Sequence, residues 1–496
     1  MKQMKFMDIT LRDAQQCLWA TRMTTSEMTP IAETMDNAGF SVIDLTGGAA
    51  IDSAMMYLAE DPFERIRVLS GLITKTPLNF NTRGQSIFRW MQYADDVTEF
   101  TLEVMRRNGI RSVMVFDALN DMRNLEYSVK VAKRLDMHII GAVTYTVSPV
   151  HTDAHFVQRT KDLVALGVHA LEIKDPSGLL TPERVAHLIP ALRKVTPGLE
   201  LQLRSHCTLG HGLDTYLETL KLGENGVDLM HTASRPLAYG YSLPSHDAIL
   251  DALPAHGYGT PVDRAAIDEM QSYFSMLTRR SGRPEGKVLP VQSVDEGHQV
   301  PGGMMSNLVQ QLTDQGQAHR LPEVLDEIVR VREDLGYPIL VSPMAQYVGT
   351  QGVLNVLSGK RYQMVPQEIK QYVLGYYGKV VGTIDPQVRE LIAGDEKEID
   401  VPPGQTIEPA MARYRRELGP CASDEELALK IFYSAKTVED NRVARLNVGK
   451  WTHATNAAAL LAKELLGKKN IEVCEVRKKD FYFSANHNDS AAATVA

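Results

Sequence analysis

The 496-residue chain holds only four cysteines, Cys17, Cys207, Cys421 and Cys474, spread far apart and with no C-x-x-C pair. That scarcity excludes a disulfide framework and a dense cysteine cluster, and it suits a reducing compartment, so the cytoplasm is expected. No run of about 18 apolar residues occurs, which argues against membrane insertion. The opening M-K-Q-M-K-F-M-D-I-T runs straight into a strand pattern without the apolar core of a signal peptide. Charge comes in no blocks: a net charge of -8 is spread along the chain, which speaks against nucleic acid or a membrane surface as partner. What remains, 44% hydrophobic and 23% charged, is ordinary globular material. Its length calls for one large domain and a smaller one.

Eight short apolar runs, each ending in polar or glycine residues and followed by a helical pattern, fill the first half. They begin near Lys5, Ser41, Leu78, Arg111, Met137, Val168, Leu199 and Val227. The segments between them, such as F-T-L-E-V-M-R-R-N-G, are amphipathic and close on Gly. Eight such units in about 250 residues predict an α/β fold, a (β/α)8 TIM barrel with its active site at the carboxyl ends of the strands. An open dinucleotide-binding sheet would need a glycine-rich first loop, and T-L-R-D-A-Q-Q-C has none. From about Leu250 helical patterns dominate. The expected division is a barrel over 1–265, a helical domain completing the site over 266–440, and a tail over 441–496 without a biotinyl domain. E-K-E-I-D-V-P-P-G-Q-T reads as a linker, and the last N-D-S-A-A-A-T-V-A as a frayed end.

Polar residues at the strand ends describe a mixed-charge cup: Arg12, Asp13, Asp44, Thr46, Arg83, Asp117, Tyr145, Lys174, Asp175, Arg204, His206 and His231. Asp13, Lys174 and His206 end the first, sixth and seventh strands, near enough to share one metal ion if Lys174 carries CO2 as a carbamate. The plainer reading is an ion pair at Lys174 and a hydrogen-bonded His206.

L-R-D-A-Q-Q-C-L-W-A-T-R (11–22) resembles the L-R-D-A-H-Q-S-L-x-A-T-R signature of the biotin-dependent ketoacid carboxyltransferases. G-G-A-A-I-D-S-A-M-M-Y-L-A-E-D-P-F-E-R-I, V-F-D-A-L-N-D-M-R-N, Y-T-V-S-P-V-H-T, P-G-G-M-M-S-N-L and V-G-T-Q-G-V-L-N-V-L-S-G extend the likeness in order from Met4 to about Val438. The resemblance implies carboxyl transfer between biotin and the methyl carbon of pyruvate. It implies Asp13, carbamylated Lys174 and His206 as ligands of zinc, cobalt or manganese, and Arg83 and Gln16, with Arg12 beside them, as holders of the ketoacid. Ser306 would relay a proton, and Asp52 would lie near the biotin pocket. It also implies a homodimer working with a biotin carrier protein and biotin carboxylase or decarboxylase subunits. The biotin-attachment motif A-M-K-M is absent, so biotin is expected on another polypeptide.

The chain departs from that family inside the cup. Arg204 stands where an H-x-H pair has its first histidine, and arginine cannot ligate metal. Either Gln202 or water completes the coordination, or the guanidinium takes the ion's place and pairs with Asp13, in which case Lys174 need not be carbamylated. Met114 replaces an arginine, and Thr46 a tryptophan. Two other readings stand beside carboxyl transfer: a biotin-independent ketoacid lyase or aldolase on the same barrel, and a silent scaffold subunit. The segment L-L-A-K-E-L-L-G-K-K-N-I-E-V-C-E-V is read as packing or as a docking element.

Overall fold

All eight apolar runs become parallel strands of one closed barrel. These are β1 (Lys5–Asp8), β2 (Val42–Gly47), β3 (Leu78–Thr82), β4 (Ser112–Val115), β5 (His138–Thr144), β6 (Ala170–Asp175), β7 (Glu200–Ser205) and β8 (Leu229–Thr232). The computed structural model describes residues 2–89, 91–294, 299–448, 465, 473–478, 481–486 and 494–495. β1 closes the ring on β8, Lys5 to Asp8 opposite Leu229 to Thr232. The strands are apolar on their outer face because helices cover it. Their inward residues include Glu172 and Lys174, two apart on β6 and hence on one face.

Local signals set the helix ends. Thr152 and Thr181 cap the helices Asp153–Leu166 and Pro182–Arg193 by accepting from His155 N and Arg184 N at 3.3 and 3.1 Å. Gly167 ends the first of these with φ +73°, a left-handed conformation that glycine takes at little cost.

The helical region runs through Arg264–Ser281, Gly302–Asp314, Leu321–Asp334 and Met344–Ser358 to Asp424–Phe432 and Ala435–Val448. It returns to the barrel at the β2–β3 side, where Phe432 meets Phe88 and Tyr93 edge-on at 4.6 and 4.9 Å. Asn441 donates to Met55 O at 3.1 Å there. The positions 265/266 and 440/441 both fall inside helices.

Two expectations about the connecting segments need correction. The stretch from Glu396 is not a free linker: Glu398 pairs with Arg389 at 3.1 Å, Ile399 N donates to Leu374 O at 3.0 Å, and Gly404 lies against Gln85. The final residues are not wholly frayed, since Thr494 and Val495 pair antiparallel with Ser484 and Phe483 in a three-stranded sheet with Val473–Lys478 and Phe481–Asn486. Most of the suggested docking segment lies outside the described residues. Among the described residues no helix is long and apolar enough to cross a membrane.

Candidate functional site

The loop after β1 is a wide helical turn, Thr10–Ala14, continued by Gln15–Leu18. Buried polar contacts seat it. Asp8 accepts from Thr10 N at 3.0 Å and Thr10 Oγ1 at 2.7 Å, His246 Nε2 meets Asp8 at 2.8 Å, and Ser234 N donates to Thr10 Oγ1 at 2.9 Å. This clamp presents Arg12 and Asp13 to the centre of the mouth.

There two guanidiniums bind two carboxylates. Arg12 reaches Asp44 Oδ2 at 2.8 Å and Asp13 Oδ1 at 3.2 Å. Arg204 reaches Asp13 Oδ2 at 2.5 Å and Asp44 Oδ2 at 3.2 Å. His206 Nε2 lies 3.3 Å from the same Asp13 oxygen, while its Nδ1 faces Tyr241 O at 2.8 Å. Burial alone would raise the Asp13 carboxyl, but Arg12, Arg204 and His206 hold it well below the ordinary range. Burial works against the His206 cation too, yet Asp13 pushes that imidazole up to about 10.

Lys174 is brought beside this cluster, opposite Arg204 in the β6–β7 register. Burial, then the Arg204 charge, lowers its amine to about 8. The sequence reading missed its neighbour Glu172, whose Oε1 lies 3.7 Å from Lys174 Nζ and 3.9 Å from Arg204. His231 lies 3.8 Å from Glu172 and is held by Gln202 Oε1 at 2.9 Å. Gln202 is therefore committed below the mouth, donating also to Glu200 at 2.8 Å, and does not complete a coordination sphere.

The implied divalent ion fits poorly. Asp13, Cys17 and His206 are the described residues whose donor atoms lie within 4.8 Å of one another. Cys17, on the turn after β1, was not foreseen as a member. An ion on Asp13 Oδ2 at about 2 Å would sit within roughly 5 Å of the Arg204 nitrogen already bonded there, and Oδ1 is held by Arg12. Both oxygens thus face permanent cations, which oppose a third.

Arg83 stands nearby. A methyl group added at Gly47 would come 3.9 Å from Arg12 Cδ, and one at Gly48 3.2 Å from an Arg83 nitrogen, so this glycine pair lies against both arginine side chains. Arg83 Nε donates to Ser86 O at 3.1 Å and another nitrogen to Arg89 O, and burial lowers its pKa. Asp52 accepts from Tyr433 OH at 2.6 Å and pairs with Arg89 at 3.3 Å. Gln16 is half-buried on the turn after β1. Ser306 lies on helix Gly302–Asp314, which packs on that turn; its side chain is outside the described residues. Tyr145 lies apart, lining a side cavity of about 610 Å³ with Ser148, His151 and Arg184.

Asp175 and Asp117 shape loops instead of joining the cup. Asp175 accepts from Leu179 N and Leu180 N at 2.9 and 2.8 Å, and Asp117 from Leu119 N and Asp121 N at 2.8 and 3.0 Å. Burial raises Asp117 from 3.8 to about 7. Between those values the folded chain holds a proton that the unfolded chain has released, so stability falls as pH rises through that window. Asp117→Asn is expected to remove a pH-dependent loss on the order of 4 kcal/mol. Denaturant midpoints measured from pH 4 to 8 check this, and an unchanged slope refutes it.

Known proteins carry the same pattern. Residues 3–230 match the HMGL-like family and residues 297–478 the conserved carboxylase domain. A pyruvate carboxylase subunit of Methanothermobacter thermautotrophicus is 39% identical over 441 residues, 88% of this chain and 77% of that protein. The chain belongs to the biotin-dependent ketoacid carboxyltransferase family. The methylmalonyl-CoA carboxyltransferase 5S subunit of Propionibacterium freudenreichii subsp. shermanii is 33% identical over 412 residues, covering 83% of this chain and 81% of its own. The carboxyl transferase domain of Rhizobium etli pyruvate carboxylase, solved with pyruvate and biocytin, shares the fold: TM-score 0.83 at 24% identity, over 98% of this chain and 84% of that one. This member of the carboxyltransferase family has the closed barrel and the helical region, with Arg204 at the barrel centre.

Proposed function

We propose that the protein moves a carboxyl group between biotin on a separate carrier and the methyl carbon of a pyruvate-like ketoacid, as the carboxyltransferase subunit of a multi-subunit enzyme. The observation that carries this is the convergence of Arg12, Arg83, Asp13, Lys174 and His206 at one barrel mouth, against the helix bearing Ser306. Arg83 offers a planar fork to the substrate carboxylate, with Gln16 as a second donor. Arg12 lies beside it and contributes positive charge where the enolate forms. A hydroxyl both donates and accepts, so Ser306 suits a proton relay in either direction. Asp52, tied to the helical region by Tyr433, marks the side where the carrier's biotin would enter. Carboxybiotin supplies the transferred group.

A homodimer assembled with biotin carrier and biotin carboxylase subunits completes this reading; the relative from Methanothermobacter is itself named as one subunit of a pyruvate carboxylase. The barrel's match to the HMGL-like family favours a second reading, a ketoacid lyase without biotin. Oxaloacetate decarboxylation by the purified chain separates them. Turnover stimulated by free biotin, together with retention of the chain on a biotinylated carrier, is the expected result. A rate indifferent to biotin and no binding to any carrier would leave the lyase.

A further inference from the structure

Arg204 puts a cation at the barrel centre, but one that no ligand can touch. Its side chain is 0% exposed. Two of its nitrogens are committed to Asp13 and Asp44, and the third lies 3.9 Å from Glu172. The guanidinium therefore builds the floor of the mouth and does not reach the carbonyl oxygen of a substrate above it. Enolate chemistry needs an electron sink at that carbonyl, and the charge Arg12 brings there is shared with Asp44 and Asp13, which leaves room for a second group.

Lys174 is placed to do so. It stands across from Arg204 on the neighbouring strand with 9% of its side chain exposed. Among the described residues its Nζ makes no hydrogen bond; it lies 3.7 Å from Glu172 Oε1 and 5.1 Å from the centre of the Phe116 ring. A carbamate on this nitrogen would set a second anion beside Glu172, whose two oxygens are buried without a hydrogen-bond donor. The side chain without a carbamate, as its ammonium, is the form that Glu172 and the Phe116 face accommodate.

We propose that Lys174 stays an unmodified amine and takes the ketoacid as a covalent imine, a reading that rests on the ketoacid function proposed above. The nitrogen lone pair attacks the ketone carbon, and the carbonyl oxygen takes up protons and leaves as water. A proton lost from the adjacent methyl group sends its electron pair toward the iminium nitrogen, giving an enamine. The terminal enamine carbon then forms the new bond to the incoming carboxyl carbon, while the bond from that carbon to the carrier's nitrogen breaks and its pair stays on that nitrogen. Water adds to the product iminium and releases the dicarboxylic ketoacid and the amine. No oxidant or reductant is consumed. Glu172 is the one carboxylate among the described residues within 4.0 Å of Nζ, and it passes the protons that imine formation and hydrolysis require.

The test is borohydride trapping on the full-length chain with pyruvate, 2-oxobutyrate and 2-oxoglutarate, read by peptide mass mapping beside a thermal-shift assay for ketoacid binding. The expected result is a mass gain equal to the ketoacid less one oxygen atom, confined to the peptide holding Lys174 and requiring both reagents. Lys174→Arg should abolish it, and Glu172→Gln should slow it at least tenfold. The map of the unsubstituted chain decides the matter even if Lys174→Arg fails to fold. Binding of a ketoacid without an adduct would overturn the imine and leave the ketoacid function standing. Labelling spread over surface lysines, or a 13C carbamate signal at Lys174, would overturn it as well. No binding of any ketoacid would remove both proposals.

Discussion

Arg204→Met is expected to destabilise the barrel by about 3–5 kcal/mol, the usual cost of removing one partner from a buried ion network. Taking charges out of water costs several kcal/mol per ion, and the network offsets this only while every partner is present. Three carboxylates, Asp13, Asp44 and Glu172, lie within 4.0 Å of Arg204 nitrogens. Methionine of similar length fills the volume but neutralises none of them. Arg12 still holds Asp13 and Asp44 in the variant, which keeps the loss from exceeding that range, whereas Glu172 is left with Lys174 and His231 as its basic neighbours within 4.0 Å among the described residues.

Urea unfolding followed through the buried Trp19, whose indole donates to Pro284 O at 2.9 Å beside the turn after β1, measures the effect. Two further variants give it meaning. Arg204→Met combined with Asp13→Leu should lose less than the sum of the single changes, because the second removes a charge that the first stranded. Arg204→His should lose stability and acquire a divalent ion by elemental analysis, since an acceptor nitrogen then joins His206 and Asp13 without the opposing guanidinium. An Arg204→Met protein as stable as the parent would mean that the guanidinium does not hold the carboxylates.

The barrel was legible because its signal is local: apolar runs of strand length with polar ends repeat eight times, with helical patterns between them. The strand-end positions of Arg12, Asp13, Lys174, Arg204 and His206 were legible, and their wiring was not. Asp13 and Arg204 are 191 residues apart and Cys17 and His206 189, so no spacing rule links them. The turn after β1 read as a plain loop because what shapes it, His246 and Ser234, comes from beyond β8. Tyr433 reaches Asp52 across 381 residues. Glu172 is different, for its signal was present. In A-L-E-I-K-D the period of two places it on the face of Lys174, and an acidic residue on the inner face of a barrel strand has to be neutralised by something.

Arg83→Ala should cut kcat/KM for the ketoacid by roughly 10²–10⁴-fold, the loss of two charge-assisted hydrogen bonds at about 1.5–3 kcal/mol each. The reason lies in how the guanidinium is spent. Two of its nitrogens are fixed by the carbonyls of Ser86 and Arg89, which orient the plane without neutralising it. Asp52, whose charge acts on Arg83, is engaged by Tyr433 and Arg89. The charge is thus held, desolvated and left for a substrate carboxylate. Arg83→Lys keeps a cation but loses the fork and both carbonyl anchors, so it should fall nearly as far, chiefly through KM. Pyruvamide supplies the control, because it presents the same ketone and methyl group without the carboxylate. The parent enzyme should prefer pyruvate by a factor close to the loss seen in Arg83→Ala, and the variant should show almost no preference. A preference that survives Arg83→Ala would place the carboxylate on another cation, such as Arg12 across the Gly47–Gly48 pair.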